Sequence, residues 1–302
     1  MRTFSVSLLM LLFLSGCVMP RHTIGLHTAL EKKPDEKNHL ASYRCTRGAH
    51  RGDSFFYTEN TARAIHSARH NPKFAFIEFD VQYSADNQPV VVHDTHLRRV
   101  FGKKGNVGES TLEELRELSG NQISTYAEIM ELAEGKPLNI EIKSQGDPEE
   151  DERLADFLVA DLKERGIEDQ VLISSISEDA VRYVKETYPE IATGRIFLIQ
   201  ASTYLPFDFL TTGLYKKIAD SKADYLMLHT VNRHNIGDLL RLKPKDKTIV
   251  FWSFDDTMYI VHKDFSDRLW GDGGLKTFFN WLRYQTARPF VASKTSTAPF
   301  NP

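Results

Sequence analysis

Between residues 41 and 286, short apolar runs alternate with segments whose apolar positions recur every three to four residues. The runs at 43–49, 74–81, 138–142, 171–174, 195–199, 225–228 and 248–254 have the length and β-branched content of buried strands. The segments between them carry helix start marks. Thr58-Glu59-Asn60-Thr61 opens one that runs to about His70. Thr111 with Glu114, and Thr125 with Glu128, have the spacing of capping boxes. Asp147 before Pro148 reads as an N-cap and first helical position, and Ser177 opens a helix ending near Pro189.

This alternation predicts an α/β fold with a parallel sheet, open or closed. One piece breaks it. Residues 79–83 and 89–93 are joined only by 84–88, too short a link for a parallel crossover, so they form an antiparallel hairpin off the second strand. The remaining runs number seven, and 267–271, followed by a helical pattern at 275–284, is a candidate eighth. Eight parallel strands at this length predict a TIM (β/α)8 barrel with that hairpin after its second strand. A doubly wound open sheet is the alternative that periodicity does not separate.

Composition narrows the function. The chain has 302 residues, 41% hydrophobic and 26% charged, with 17 Gly and 12 Pro, which are globular values. A net charge of −3 argues against electrostatic nucleic-acid binding. The two cysteines form no C-x-x-C zinc pair and no disulfide scaffold.

The N-terminus reads as an address. Arg2, the apolar run 4–14 and Leu14-Ser15-Gly16-Cys17 have the layout of an export signal, too short to span a bilayer. The small residues before Cys17 resemble a bacterial lipoprotein signal ending at Cys17, whose acylation would hold the chain on a membrane surface. An ordinary signal peptide is the alternative. Anchoring leaves Cys45 as the free thiol and leaves open which bacterial membrane is used, on its periplasmic or extracellular face. Residues 18–40, rich in charge and proline, read as a tether, 41–286 as the globular part and 287–302 as a tail.

Four segments at predicted strand ends carry the candidate chemistry: His50-Arg51-Gly52, Glu78-Phe79-Asp80, His93-Asp94 and Glu141-Ile142-Lys143. Residues two apart in a strand share a face, so Glu78 pairs with Asp80 and Glu141 with Lys143, opposite Ile77, Phe79, Ile140 and Ile142. Inward charges are costly unless compensated. Three carboxylates from two strands make a hard oxygen site suited to one divalent cation, Mg²⁺ or Ca²⁺. Arg51 and Lys143 add positive charge for an anionic substrate. His50 and His93 come from different segments and can divide a proton between a nucleophile and a leaving group. Together these parts suggest metal-assisted cleavage of a phosphodiester. Asp94 either orients His93 or caps a turn, and Lys143 either binds phosphate or neutralises Glu141. His66 and His70, at helical spacing but without a third ligand, read as an exposed helix face. His229 ends a predicted strand without a motif. No G-x-S-x-G elbow and no P-loop is present.

At these residues the chain resembles the glycerophosphodiester phosphodiesterase family. Six segments carry the likeness in order: His50-Arg51-Gly52, Glu59-Asn60-Thr61, Ile77-Glu78-Phe79-Asp80-Val81, Pro89-Val90-Val91-Val92-His93-Asp94, Thr111-Leu112-Glu113-Glu114-Leu115 and Leu138-Asn139-Ile140-Glu141-Ile142-Lys143. The resemblance implies a TIM barrel with a small insertion over the site between Asp94 and Leu138. It implies His50 and His93 as acid/base pair, Glu78, Asp80 and Glu141 as metal ligands, and Arg51 and Lys143 on the phosphate. It further implies attack by the glycerol 2-hydroxyl, giving a cyclic phosphate that water opens. Later text matches less well: Phe251-Trp252-Ser253-Phe254 departs at Ser253 and Phe254, and the 267–272 segment is a poor match to the last family strand. Trp252 is read as lining the substrate site or as ordinary packing, and Phe55, Phe56 and Tyr57 as an apolar wall or as ordinary loop packing. The expected activity is hydrolysis of glycerophosphodiesters. The alternatives are a lysophospholipid or other lipid phosphodiesterase, and a lipoprotein that binds such ligands without turnover.

Overall fold

The computed structural model describes residues 45–197, 220–229, 247–252 and 257–261. The export signal with Cys17, the tether at 18–40, the segment 267–272 and the tail at 287–302 lie outside the described residues.

The elements follow the predicted alternation. Strand β1 (Cys45–Ala49) leads to helix α1 (Ala62–His70), β2 (Phe76–Tyr83) and β3 (Pro89–Val91). Then come α2 (Arg98–Phe101), α3 (Leu112–Ser119), α4 (Tyr126–Ala133) and β4 (Leu138–Ile142). Helix α5 (Pro148–Arg165), β5 (Val171–Ser175), α6 (Glu178–Thr187) and β6 (Ala192–Phe197) follow, and β7 (Tyr225–His229), β8 (Thr248–Trp252) and β9 (Thr257–Val261) complete the described chain. The start marks act as their chemistry requires. Thr61, Asp147 and Ser177 each accept an N–H at a helix start. Both capping boxes, Thr111/Glu114 and Thr125/Glu128, are formed in full.

The sheet runs β1-β9-β8-β7-β6-β5-β4-β2, and β1 pairs with β2, so the strands close into a barrel of TIM type. Strand β3 hangs from β2 as the antiparallel hairpin, with Val81 opposite Val91. Neighbours from β1 through β8 along the β2, β4, β5, β6 and β7 side are parallel. The closing strand differs from expectation. The ring is closed by β9, which runs antiparallel to both β8 and β1. The link between β8 and β9 is too short for a parallel crossover, so the chain turns back as a hairpin.

Two apolar layers hold the barrel. Ile77, Phe79 and Val81 of β2, with Ile140 and Ile142 of β4, face outward and pack with Ile65 and Ala68 of α1 and Leu154 and Leu158 of α5. The interior is filled by strand residues, among them Phe76, Leu172, Tyr225, Met227, Val250, Met258 and Ile260. Full burial of each large side chain contributes about 1.5–3 kcal/mol. The insertion is shorter than expected. Val90, Val92, Leu97, Val107, Leu115 and Ile123 make a small core of their own. Helix α4, expected within that insertion, instead places Tyr126, Ile129, Met130 and Ala133 in the barrel's outer layer, because these residues share one helical face. Among the described residues no helix is long and apolar enough to cross a membrane.

Candidate active site

Glu78 and Asp80 alternate inward on β2 and are fully buried, and Asp80 stands beside Glu141 in the parallel register of β2 and β4. The three carboxylates offer oxygens within 4.8 Å of one another. Buried Oε1 of Glu78 and Oδ1 of Asp80 have no hydrogen-bond donor. Carboxylate oxygens this close together and left without donors fit a hard divalent cation. Protonation tells the same story. Burial raises Glu78 well above the usual carboxylate range, and the charges of Asp80 and Glu141 add to it. Burial raises Glu141 too, against the opposing pull of Lys143. Burial also works against ionised Asp80, but the charges of His93, Lys143 and Arg51 and a hydrogen bond from Asn60 outweigh it and hold Asp80 low. The cluster therefore resists carrying all its charges without a cation.

The β1 end supplies His50, Arg51 and Gly52. Arg51 and Gly52 both have positive φ, 59° and 73°. A Cβ on Gly52 would meet the Ala64 backbone at 2.7 Å, so glycine is required there. This turn aims the Arg51 N–H at Glu78 Oε2, 2.6 Å away. The Arg51 guanidinium donates to Glu59 Oε1 at 2.8 Å and lies 3.5 Å from Asp80 Oδ2. Asn60, also at positive φ, donates to Asp80 Oδ2 at 2.7 Å. His50 is buried, with Nε2 3.9 Å from Glu78 Oε2. Burial, then the Arg51 charge, pushes His50 down to about 3, so its ring is neutral at ordinary pH.

His93 follows the β3 hairpin and is less enclosed, its side chain 27% exposed. Its Nδ1 meets Asp94 Oδ1 at 2.6 Å, so Asp94 orients the ring. Gln82 holds the backbone there, donating to the Val92 carbonyl at 2.8 Å. Lys143 donates to Glu141 Oε1 at 2.7 Å and lies 3.8 Å from Asp80 Oδ1. Neutralisation of Glu141 is thus on view, and the ammonium remains beside the cluster. Buried Trp252 lies beside His50, ring centroids 6.1 Å apart. Phe55 and Phe56 are exposed and pack edge to face, rather than filling the loop. His66 and His70 pair with each other on α1, and neither joins the carboxylate cluster among the described residues.

Periodicity and motif spacing give no catalytic role to Glu59, Asn60, Gln82 or Arg99. Glu59 and Asn60 stand in the Glu59-Asn60-Thr61 segment, which is the signal that points to them. Arg99 and Gln82 carry none: Glu59 is 40 residues from Arg99, and Gln82 reaches a carbonyl 10 residues on.

Residues 50–271 match the Glycerophosphoryl diester phosphodiesterase family. A glycerophosphodiester phosphodiesterase of Caldanaerobacter subterraneus is 35% identical over 166 residues, 49% of this chain and 65% of that protein, so the match spans less than two thirds of its length. One of Bacillus subtilis is 24% identical over 266 residues, 76% of this chain and 90% of that protein. The crystal structure of a Thermotoga maritima glycerophosphodiester phosphodiesterase superposes with a TM-score of 0.53 at 22% identity, covering 78% of this chain and 96% of that one. An Oleispira antarctica phosphodiesterase, solved with the product sn-glycerol-3-phosphate, gives 0.54 at 23% identity, covering 74% and 87%. At these identities the structures speak for the fold.

Proposed function

The chain belongs to the glycerophosphoryl diester phosphodiesterase family, and from that premise we propose that it hydrolyses glycerophosphodiesters to an alcohol and glycerol 3-phosphate. The observation that carries this reading is the convergence of Glu78, Asp80 and Glu141 within 4.8 Å between two histidines of different character. Those three carboxylates would hold one Mg²⁺ or Ca²⁺. When bound, the cation supplies charge stabilisation for the phosphoryl oxygens.

The protein's own residues do the rest. Arg51 and Lys143 give fixed positive charge for the phosphate. Neutral His50 takes the proton from the nucleophile, the glycerol 2-hydroxyl or a water. His93, with Asp94 on Nδ1, gives a proton from Nε2 to the leaving alkoxide. Trp252 closes the wall beside His50. The exposed Phe55–Phe56 pair favours a second reading, in which the alcohol portion is a lipid. Residues 4–17 favour export and lipid anchoring through Cys17 to a bacterial membrane surface.

The test is hydrolysis of a glycerophosphodiester panel and a lysophospholipid, with EDTA, Mg²⁺ and Ca²⁺ compared. Metal-dependent turnover that His50→Ala and His93→Ala both lose is the expected result. Binding of the same compounds by a folded wild type, with no turnover under any metal, would overturn it. Faster lysophospholipid turnover selects the lipid reading. A cyclic phosphate in rapid-quench samples marks the 2-hydroxyl as nucleophile.

A further inference from the structure

We propose that Arg99 is a positioning residue for this reaction, which locks Asp94 and through it the imidazole of His93. The proposal rests on the phosphodiesterase reading above.

Arg99 comes from α2 in the insertion, not from the barrel. Its guanidinium makes two forks at once. Nε donates to Asp94 Oδ2 at 2.6 Å and Nη2 to Asp94 Oδ1 at 2.9 Å. Nη1 donates to Glu59 Oε2 at 2.8 Å and Nη2 to Glu59 Oε1 at 2.6 Å. Glu59 also accepts from Arg51, which lies beside Asp80. A continuous chain of charged contacts therefore runs Asp80, Arg51, Glu59, Arg99, Asp94, His93.

His93 needs such a support because it sits in a connection outside the strand ladder. Gln82 fixes the backbone of that connection but leaves the side-chain torsions of His93 free. Asp94 is the neighbour of His93 in sequence and can hold the ring only if it is held itself. Arg99 holds both Asp94 oxygens. With Nδ1–H engaged by Asp94, Nε2 is left as the nitrogen that exchanges protons with substrate. The guanidinium side chain is 51% exposed, where an ion pair contributes little to stability. Its forks serve geometry. A lysine cannot copy them, because an ammonium is a point charge without a planar fork.

The experiment compares wild type, Arg99→Ala, Arg99→Lys and Asp94→Asn in steady-state hydrolysis of glycerophosphocholine with Mg²⁺ or Ca²⁺. Arg99→Ala is expected to lower kcat about 10–100-fold with KM changed less than about threefold. Added guanidinium at about 10–50 mM should restore much of that loss, and Arg99→Lys should regain only part. A second readout does not need turnover. Nitrogen correlations of the His93 ring at about pH 8, assigned with His93→Gln, should show the Nδ1–H tautomer in wild type and a mixture in Arg99→Ala. Unchanged kcat, a loss that tracks thermal unfolding and ignores guanidinium, or an unchanged His93 tautomer would overturn the proposal. An inactive wild type would sink the phosphodiesterase reading, and the ring correlations would then decide the role of Arg99 alone.

Discussion

His50 and His93 face one acidic cluster from two kinds of support. His50 ends a barrel strand, is 5% exposed and is driven down to about 3 by burial and the Arg51 charge. His93 stands in a loop, its side chain 27% exposed, with a carboxylate 2.6 Å from Nδ1. In the proposed reaction the same side chain serves as two reagents. One is kept unprotonated by low dielectric and a neighbouring cation. The other is tied through Nδ1 to a carboxylate, the arrangement that the proposed acid needs.

The largest effect should come from changing the leaving group. With choline or glycerol leaving, His50→Ala and His93→Ala should each lose about 10²–10⁴-fold in kcat. With p-nitrophenolate, which leaves without a proton, His93→Ala should lose less than about tenfold while His50→Ala keeps its full loss. Equal losses on both substrates would erase the division of labour.

The buried side of the comparison also depends on the cluster beneath it. Glu78 and Glu141 are raised in the folded chain. A raised carboxylate contributes stability below its unfolded value and loses that contribution as pH rises through its folded value. The metal-free protein is therefore weakened by these groups toward neutral and alkaline pH, where a bound cation would replace the missing protons. EDTA should lower Tm by about 5 °C at pH 8 and by less at pH 5. A larger drop at pH 5 would reverse the sign and break the account.

A smaller effect tests the residue that joins the two sides. Burial opposes ionised Glu59, but Arg99 and Arg51 outweigh it and hold its carboxyl down to about 2. A depressed carboxylate contributes stability above its unfolded value, near 4.5, and loses it as pH falls through its folded value. Denaturant unfolding from pH 6 to pH 3 should cost wild type about 2 kcal/mol more than Glu59→Gln. Parallel pH profiles for the two would show that Glu59 does not carry this charge.

Much of this was legible along the chain. Alternation on β2 and β4 separated Glu78, Asp80 and Glu141 from Ile77, Phe79, Ile140 and Ile142, because a strand's two-residue period is set locally. The 84–88 link announced the hairpin, and both capping boxes were readable because each closes within four residues. Other features were not. Thr257–Val261 has a strand's composition, but nothing in it states that it returns antiparallel to close the ring. Helix α4 looked like part of the insertion because its apolar face does not say which core will receive it.

The chain by itself determined the barrel-type alternation and the carboxylates, cations and histidines that the proposed reaction would use, since periodicity and side-chain chemistry act over a few residues. Tertiary structure alone decided which histidine is buried and neutral and which is tied to Asp94. It also decided that Arg99 spans Glu59 and Asp94. Those outcomes depend on burial and on charges brought within hydrogen-bonding distance from positions such as 59 and 99, far apart along the chain. Desolvation and Coulomb energies follow distance in space, and only folding sets that distance.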